Sequence, residues 1–88
     1  MINEIQLYNY LQGALKTRDN LHIGAVYLQV LRFEGYLMRT RARLDYYRPI
    51  LHDLKEANHS GDVLTFTKGL DALVEALEKK NNGKLSTT

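Results

Sequence analysis

The chain has 88 residues, of which 44% are hydrophobic and 25% charged, as in a single globular domain and unlike a disordered chain. Twelve lysines and arginines face ten acidic residues, so the formal charge of +2 does not by itself indicate nucleic-acid binding. The absence of cysteine excludes a disulfide framework, a thiol nucleophile and a thiolate metal site.

The first 15 residues lack the pattern of a secretory signal, and no apolar run approaches the roughly 20 residues of a membrane helix. We therefore expect a cytoplasmic protein that does not bind a membrane.

A first helix is predicted from Asn3 to Lys16, where apolar residues recur at helical spacing and Glu4 suits the first turn. Residues 17–20 break this pattern and predict a sharp turn. Asp19 or Asn20 is expected to cap the helix that follows.

The longest predicted helix runs from Asn20 to Ala57 and would span about 55 to 60 Å at 1.5 Å per residue. One side carries a coiled-coil-like seam with alternating spacings of three and four. The seam consists of Ile23, Val26, Val30, Phe33, Leu37, Thr40, Leu44, Tyr47, Leu51 and Leu54. A second row, on another side, consists of Gly24, Leu28, Leu31, Gly35, Met38 and Ala42. Two apolar rows require two neighbours, which predicts that this helix is the centre of a bundle.

Pro49 lies inside this pattern and predicts a kink or a break between Tyr46 and Pro49. Because the seam keeps its phase across the proline, a kink is favoured. Ser60 is a candidate cap for a last helix, predicted from Asp62 to Lys80. Residues 1–83 are expected to form one helical domain, and residues 84–88 a flexible tail.

The predicted fold is an all-α, small three-helix bundle, or a four-helix bundle if the long helix breaks at Pro49. The two short helices contain too few residues to cover both rows of the long helix. We therefore expect a homodimer in which the long helices pack antiparallel.

The most specific feature is a polar stripe on the long helix, which spans about 80° at 100° per residue and contains no acid. It consists of Arg32, Tyr36, Arg39, Arg43 and Tyr46. Arg41 and Arg48 instead share a side with Glu34 and Asp45, which allows ordinary intrahelical ion pairs.

Three anions could neutralise the stripe. Phosphate and an acidic protein surface are both suited to arginine. The third is internal, an acidic row on the last helix that consists of Asp71, Glu75 and Glu78.

Tyr46 and Tyr47 add a second indication of an interface, because tyrosine is enriched at protein interfaces. Two adjacent rings on one helix cannot both face the same core, so one of them should be available to a partner.

No residues indicate catalysis. His52 and Glu56 have a spacing that metal ligands use, but they have no third companion, so we expect no metal and no cofactor. The hydroxyl residues lie in no recognisable nucleophile motif, and the sequence contains no Gly-rich phosphate loop. The chain is therefore predicted not to be an enzyme and to have no small-molecule substrate.

These features favour a non-enzymatic protein–protein interaction module, such as an adaptor, an inhibitor or a regulator. The predicted partner-binding residues are Arg32, Tyr36, Arg39, Arg43, Tyr46 and Tyr47. The alternative is weak, sequence-nonspecific nucleic-acid binding through Arg32, Arg39 and Arg43. A purely structural assembly subunit is a third possibility.

Overall fold

The computed structural model describes the backbone of residues 2–41 and 43–85, and the side chains of residues 2–41 and 43–81. These residues form four α-helices and no strand, which confirms the predicted all-α class. The helices are α1 (Glu4–Leu15), α2 (Ile23–Thr40), α3 (Leu44–Ser60) and α4 (Val63–Leu85), and a short 3-10 helix (Arg18–Asn20) precedes α2.

The four helices pack mainly in a ring, in which α2 contacts α1 and α3, and α4 contacts α3 and α1. Every helix contributes to one core, which consists of Leu7, Leu11, Val26, Val30, Phe33, Leu37, Tyr47, Leu51, Leu54, Ala57, Phe66, Leu70, Leu73, Ala76 and Leu77. Gly69 allows α4 to approach α3 closely, because a Cβ at this position would lie 2.7 Å from Leu54 Cδ2.

Two helix starts differ from the predictions. The N-cap position of α2 is His22, and its side chain makes no capping hydrogen bond. Neither Asp19 nor Asn20 therefore caps this helix. At α4 the cap is Asp62 and not Ser60, which is the last residue of α3. The Asp62 carboxylate accepts hydrogen bonds from the Thr65 backbone N–H at 3.0 Å and the Thr65 hydroxyl at 2.6 Å.

The start of α1 is capped by Asn3 and Gln6, which exchange side-chain and backbone hydrogen bonds in a capping box.

The predicted long helix is divided in two, and the division lies between the end of α2 at Thr40 and the start of α3 at Leu44 instead of between Tyr46 and Pro49. Arg41 and Arg43 both have left-handed backbone conformations, with φ values of 58° and 59°. The Arg41 N–H closes α2 by donating to the Leu37 carbonyl at 2.7 Å. A continuous helix of the predicted length would exceed the longest dimension of the molecule, 33 Å.

Pro49 is accommodated inside α3, which is continuous from Leu44 to Ser60. Proline has no N–H, so it removes the hydrogen bond that the Asp45 carbonyl would otherwise accept. Asp45 and Pro49 are both exposed, and water can solvate that carbonyl. No break therefore occurs at the proline, because exposure near a helix start reduces its cost.

Folding back between α2 and α3 lets the two halves of the predicted seam face each other. Val26, Val30, Phe33 and Leu37 of α2 pack in the same core as Tyr47, Leu51 and Leu54 of α3. Ile23 and Leu44 are half-buried, and Thr40 is exposed at the end of α2. Most of the seam is thus buried within a single chain.

The C-terminal end of α4 extends beyond the predicted boundary at Lys80. Asn81 departs from helical geometry, with φ of −128° and ψ of 24°, and helical backbone resumes as far as Leu85. Of the predicted tail, residues 84 and 85 belong to this segment, whereas residues 86–88 lie outside the described residues.

Replacement of Arg41 by Gly should raise the free energy of unfolding by about 0.5–1 kcal/mol, because glycine adopts a left-handed conformation without steric cost. The matched control is Arg39→Gly. Residue 39 lies inside α2, so this substitution should lower the free energy of unfolding by about 1 kcal/mol, because glycine has a low helix propensity. Urea denaturation of both variants measures the difference. Equal losses in the two variants would mean that the helix continues through residue 41.

Candidate functional site

The six predicted partner-binding residues do not lie on one helix face, because the chain reverses direction between α2 and α3. Arg32, Tyr36 and Arg39 lie on α2, and Arg43 occupies the junction. Tyr46 and Tyr47 lie near the start of α3. The polar stripe is therefore divided into an α2 part and a junction part, and the two parts differ in their contacts.

The α2 part is open to solvent. Arg32 and Arg39 are exposed, and Tyr36 is half-buried, with its ring stacked beside Phe33 at a centroid distance of 6.4 Å. Among the side chains that the structure describes, no carboxylate forms an ion pair with either arginine. These two guanidiniums can therefore bind an anion on another molecule without breaking an internal pair.

The acidic row of the last helix does not neutralise the stripe. Arg18 binds Asp71 with two hydrogen bonds of 3.0 and 2.7 Å, which lower the pKa of the Asp71 carboxyl. Glu75 lies 3.6 Å from Lys79 on its own helix. The internal anion considered from the sequence is thus not found at Arg32 or Arg39.

The second arginine set shows one of the predicted intrahelical pairs. Arg48 lies 3.9 Å from Asp45, and both side chains are largely exposed. Glu34 instead pairs with Lys55 of α3 at 2.6 Å.

Arg43 is already bound within the chain. Its Nη1 donates to Glu4 Oε2 at 2.8 Å and to Asn81 Oδ1 at 3.3 Å. The same carboxylate oxygen accepts hydrogen bonds from the Tyr47 hydroxyl at 2.6 Å and from Asn81 Nδ2 at 2.9 Å. We call these four residues the Glu4 cluster. It joins α1, the α2–α3 junction, α3 and the irregular turn of α4.

Tyr47 is removed from the partner-binding set, because its side chain is fully buried. Its ring meets Phe33 edge-on at 5.2 Å, which agrees with its position in the predicted seam. Tyr46 is half-buried, and Lys80 Nζ lies 4.5 Å from the centre of its ring. The Tyr46 hydroxyl points to the Ala76 carbonyl at 3.5 Å. Neither tyrosine is therefore a freely exposed ring.

The electrostatics of the Glu4 cluster favour an ionised carboxylate. Burial alone would raise the pKa of Glu4, but hydrogen bonds from Tyr47, Asn81 and Arg43 outweigh it and lower the pKa below 4.5. The start of α1 also favours a negative charge. Burial and the adjacent Glu4 carboxylate raise the pKa of the Tyr47 hydroxyl, which remains a donor.

Glu4 was interpreted from the sequence only as a first-turn residue. A stronger signal was present, since Glu4 shares one helical face with Leu7 and Leu11, at spacings of three and seven residues. A carboxylate on an apolar stripe indicates a buried, paired acid. Its partners come from distant parts of the chain, and helical spacing does not identify them.

An exposed apolar row lies beside Arg32 and Arg39. The described members of the second predicted row include Leu28, Leu31 and Met38, with exposed fractions of 48%, 37% and 60%. The central position that was predicted for this helix is therefore wrong for the single chain, since α2 packs with one side and exposes the other. Ala42, the last predicted member of the row, lies outside the described residues.

Within the described residues, no group of three or more metal-ligand side chains is close enough together to hold an ion. His52 and Glu56 lie 3.7 Å apart on the exposed side of α3. None of the helices in residues 2–41 and 43–85 combines the length and the apolar character needed to cross a membrane.

Comparison with known proteins found no family model that matches the chain, and no match among the curated proteins or the solved structures.

Loss of the Glu4 charge should destabilise the fold and change its response to acid. Because the folded-state pKa of Glu4 is lowered, its stabilisation is present in full above about pH 4.5 and is lost as the pH falls through the folded-state value. Glu4→Gln should therefore cost about 1–3 kcal/mol at pH 7, and less as the pH falls below 4. Urea denaturation from pH 7 to pH 3 measures this. Glu78→Gln, at an exposed position of α4, is the control for loss of one carboxylate. A pH-independent cost would contradict an ionised Glu4.

Removal of the Arg43 side chain should also destabilise the protein, by about 1–3 kcal/mol, because it leaves the Glu4 carboxylate without its cation. The matched control is Arg39→Ala, which removes an exposed guanidinium and should change stability by less than about 0.5 kcal/mol. Thermal and urea denaturation measure both variants. Equal stability of the two variants would mean that the Arg43–Glu4 pair contributes nothing.

Proposed function

We propose that this chain is a non-enzymatic interaction module, an adaptor, an inhibitor or a regulator, that binds another protein through the outward face of α2. The observation that carries the proposal is the pair of exposed guanidiniums at Arg32 and Arg39, which have no acidic partner among the described side chains. Two further features support it. Tyr36 adds a half-buried ring on the same side, and the exposed row of Leu28, Leu31 and Met38 lies beside the arginines.

The combination of charge and apolar surface favours a protein over a nucleic acid. Three arginines were considered as phosphate contacts, and Arg43 is bound to Glu4, so two remain on α2. Two phosphate contacts give a salt slope of only about −2, which corresponds to very weak binding. Apolar side chains next to the arginines add nothing to phosphate binding, whereas they suit the buried centre of a protein interface.

An antiparallel homodimer, as expected from the sequence, would bring arginines of the two copies together. In an antiparallel symmetric pair, residues near the twofold axis face their own copies. Arg32 follows Leu31, the middle residue of the row that begins at Gly24 and reaches Met38. Two Arg32 guanidiniums would then face each other, and like charges oppose association. We therefore propose a different protein as the partner.

The double variant Arg32→Ala/Arg39→Ala tests this function. It should be as stable as the parent chain. In a pull-down from the source organism, read by mass spectrometry, it should recover much less of the partner protein than the parent chain recovers. Arg48→Ala is the control, since Arg48 is also an exposed arginine but lies on α3, where it pairs with Asp45.

A mobility-shift assay tests the alternative. The parent chain should not shift duplex or single-stranded nucleic acid at low salt. A shift that Arg32→Ala/Arg39→Ala abolishes would mean that the arginines bind nucleic acid instead of a protein.

A further inference from the structure

The outward face of α2 has the residue spacing of one side of a coiled coil. Leu28, Leu31, Gly35 and Met38 follow one another at intervals of three, four and three residues. The leucines and the methionine are exposed. Apart from the adjacent residues and the backbone of α2 itself, no atom lies within 4 Å of the position that a Cβ would take at Gly35. A second backbone can therefore approach α2 closely over Gly35 while its side chains contact the larger residues on either side.

The charges on the two borders of this row differ. Arg32 and Arg39 follow Leu31 and Met38 directly, and they lie seven residues apart, about 10.5 Å along the helix axis. On the other border, the carboxylate of Glu34 is occupied by Lys55 at 2.6 Å. The free charge beside the row is therefore positive and is repeated once every two helical turns.

We propose that the outward face of α2 binds an amphipathic helix of a partner protein, with an apolar row that covers Leu28, Leu31 and Met38. Carboxylates two turns apart on that helix bind Arg32 and Arg39. This inference rests on the proposed function and adds the class of partner. Charge complementarity is its basis, since two unpaired guanidiniums border the apolar row.

A helix fits this face better than an extended peptide does. Strand addition requires the free edge of a β-sheet, and residues 2–41 and 43–85 contain no strand. The spacing of the exposed row, in contrast, matches the interval at which a partner helix presents its own apolar residues. The two arginines have the same interval, so one helix can contact the row and both guanidiniums together.

The probes are two synthetic helical peptides of about four heptads, with leucine and isoleucine in the apolar row and either glutamate or lysine beside it. Fluorescence anisotropy at low salt should show that the acidic peptide binds at least about tenfold more tightly than the basic one. Arg32→Ala/Arg39→Ala should weaken acidic-peptide binding by at least about tenfold, and Leu31→Asp should do the same. Arg48→Ala should bind like the parent chain. Circular dichroism establishes that each variant is folded.

Charge reversal gives the most direct test. The variant Arg32→Glu/Arg39→Glu should prefer the basic peptide to the acidic one, because the exposed charges then have the opposite sign. An unchanged preference for the acidic peptide would overturn the assignment of Arg32 and Arg39.

Other outcomes separate this inference from the proposed function. An acidic peptide of the same composition, made non-helical by prolines, should not bind. If it binds equally well through Arg32 and Arg39, the helix is wrong and the protein-binding face stands. Failure of the acidic peptide to bind at about 1 mM overturns the helix inference.

Two results would assign the row to another occupant. A dimer in light scattering that Leu31→Asp dissociates would mean that a second copy covers the row. Nucleic-acid binding through Arg32 and Arg39 would overturn both proposals.

Discussion

A single carboxylate oxygen, Glu4 Oε2, receives hydrogen bonds from three side chains that lie 39, 43 and 77 residues away along the sequence. It is a buried negative charge in a protein of 88 residues, and such a charge is tolerated only when it is fully bonded. Tyr47, Asn81 and Arg43 provide those bonds. The arrangement fixes the first turn of α1, the α2–α3 junction and the irregular turn of α4 with respect to one another.

The chain reversal between α2 and α3 is linked to this cluster. Left-handed backbone at two arginines costs about 1–2 kcal/mol each, and neither residue has the conformational freedom of glycine. Two gains offset the cost. The reversal places Arg43 within reach of Glu4, and it brings the apolar sides of α2 and α3 into one core. A continuous helix would leave half of the seam exposed in a monomer.

The reversal also determines which surfaces are free. Because α3 covers the seam of α2, the opposite face of α2 points to solvent with its apolar row and with Arg32 and Arg39. Arginines that look equivalent in the sequence thus differ in their contacts, since Arg43 binds Glu4 and the other two have no acidic partner among the described side chains. The same event buries Tyr47, whose hydroxyl is needed by Glu4.

Local spacing was sufficient to predict the all-α class, the two outer helices and the seam, because helical periodicity depends only on neighbours three and four residues apart. It also identified the apolar row and the absence of acids beside Arg32 and Arg39. The sequence placed a kink or a break near Pro49, the strongest local signal, because the residues at 41–43 include no glycine or proline. Only the tertiary structure decided the position of the break, the pairing of Arg43, and whether Tyr47 belongs to the predicted seam or to the predicted partner-binding set. Arg43 and Tyr47 meet Glu4 through contacts between distant segments, and no helical period encodes such contacts.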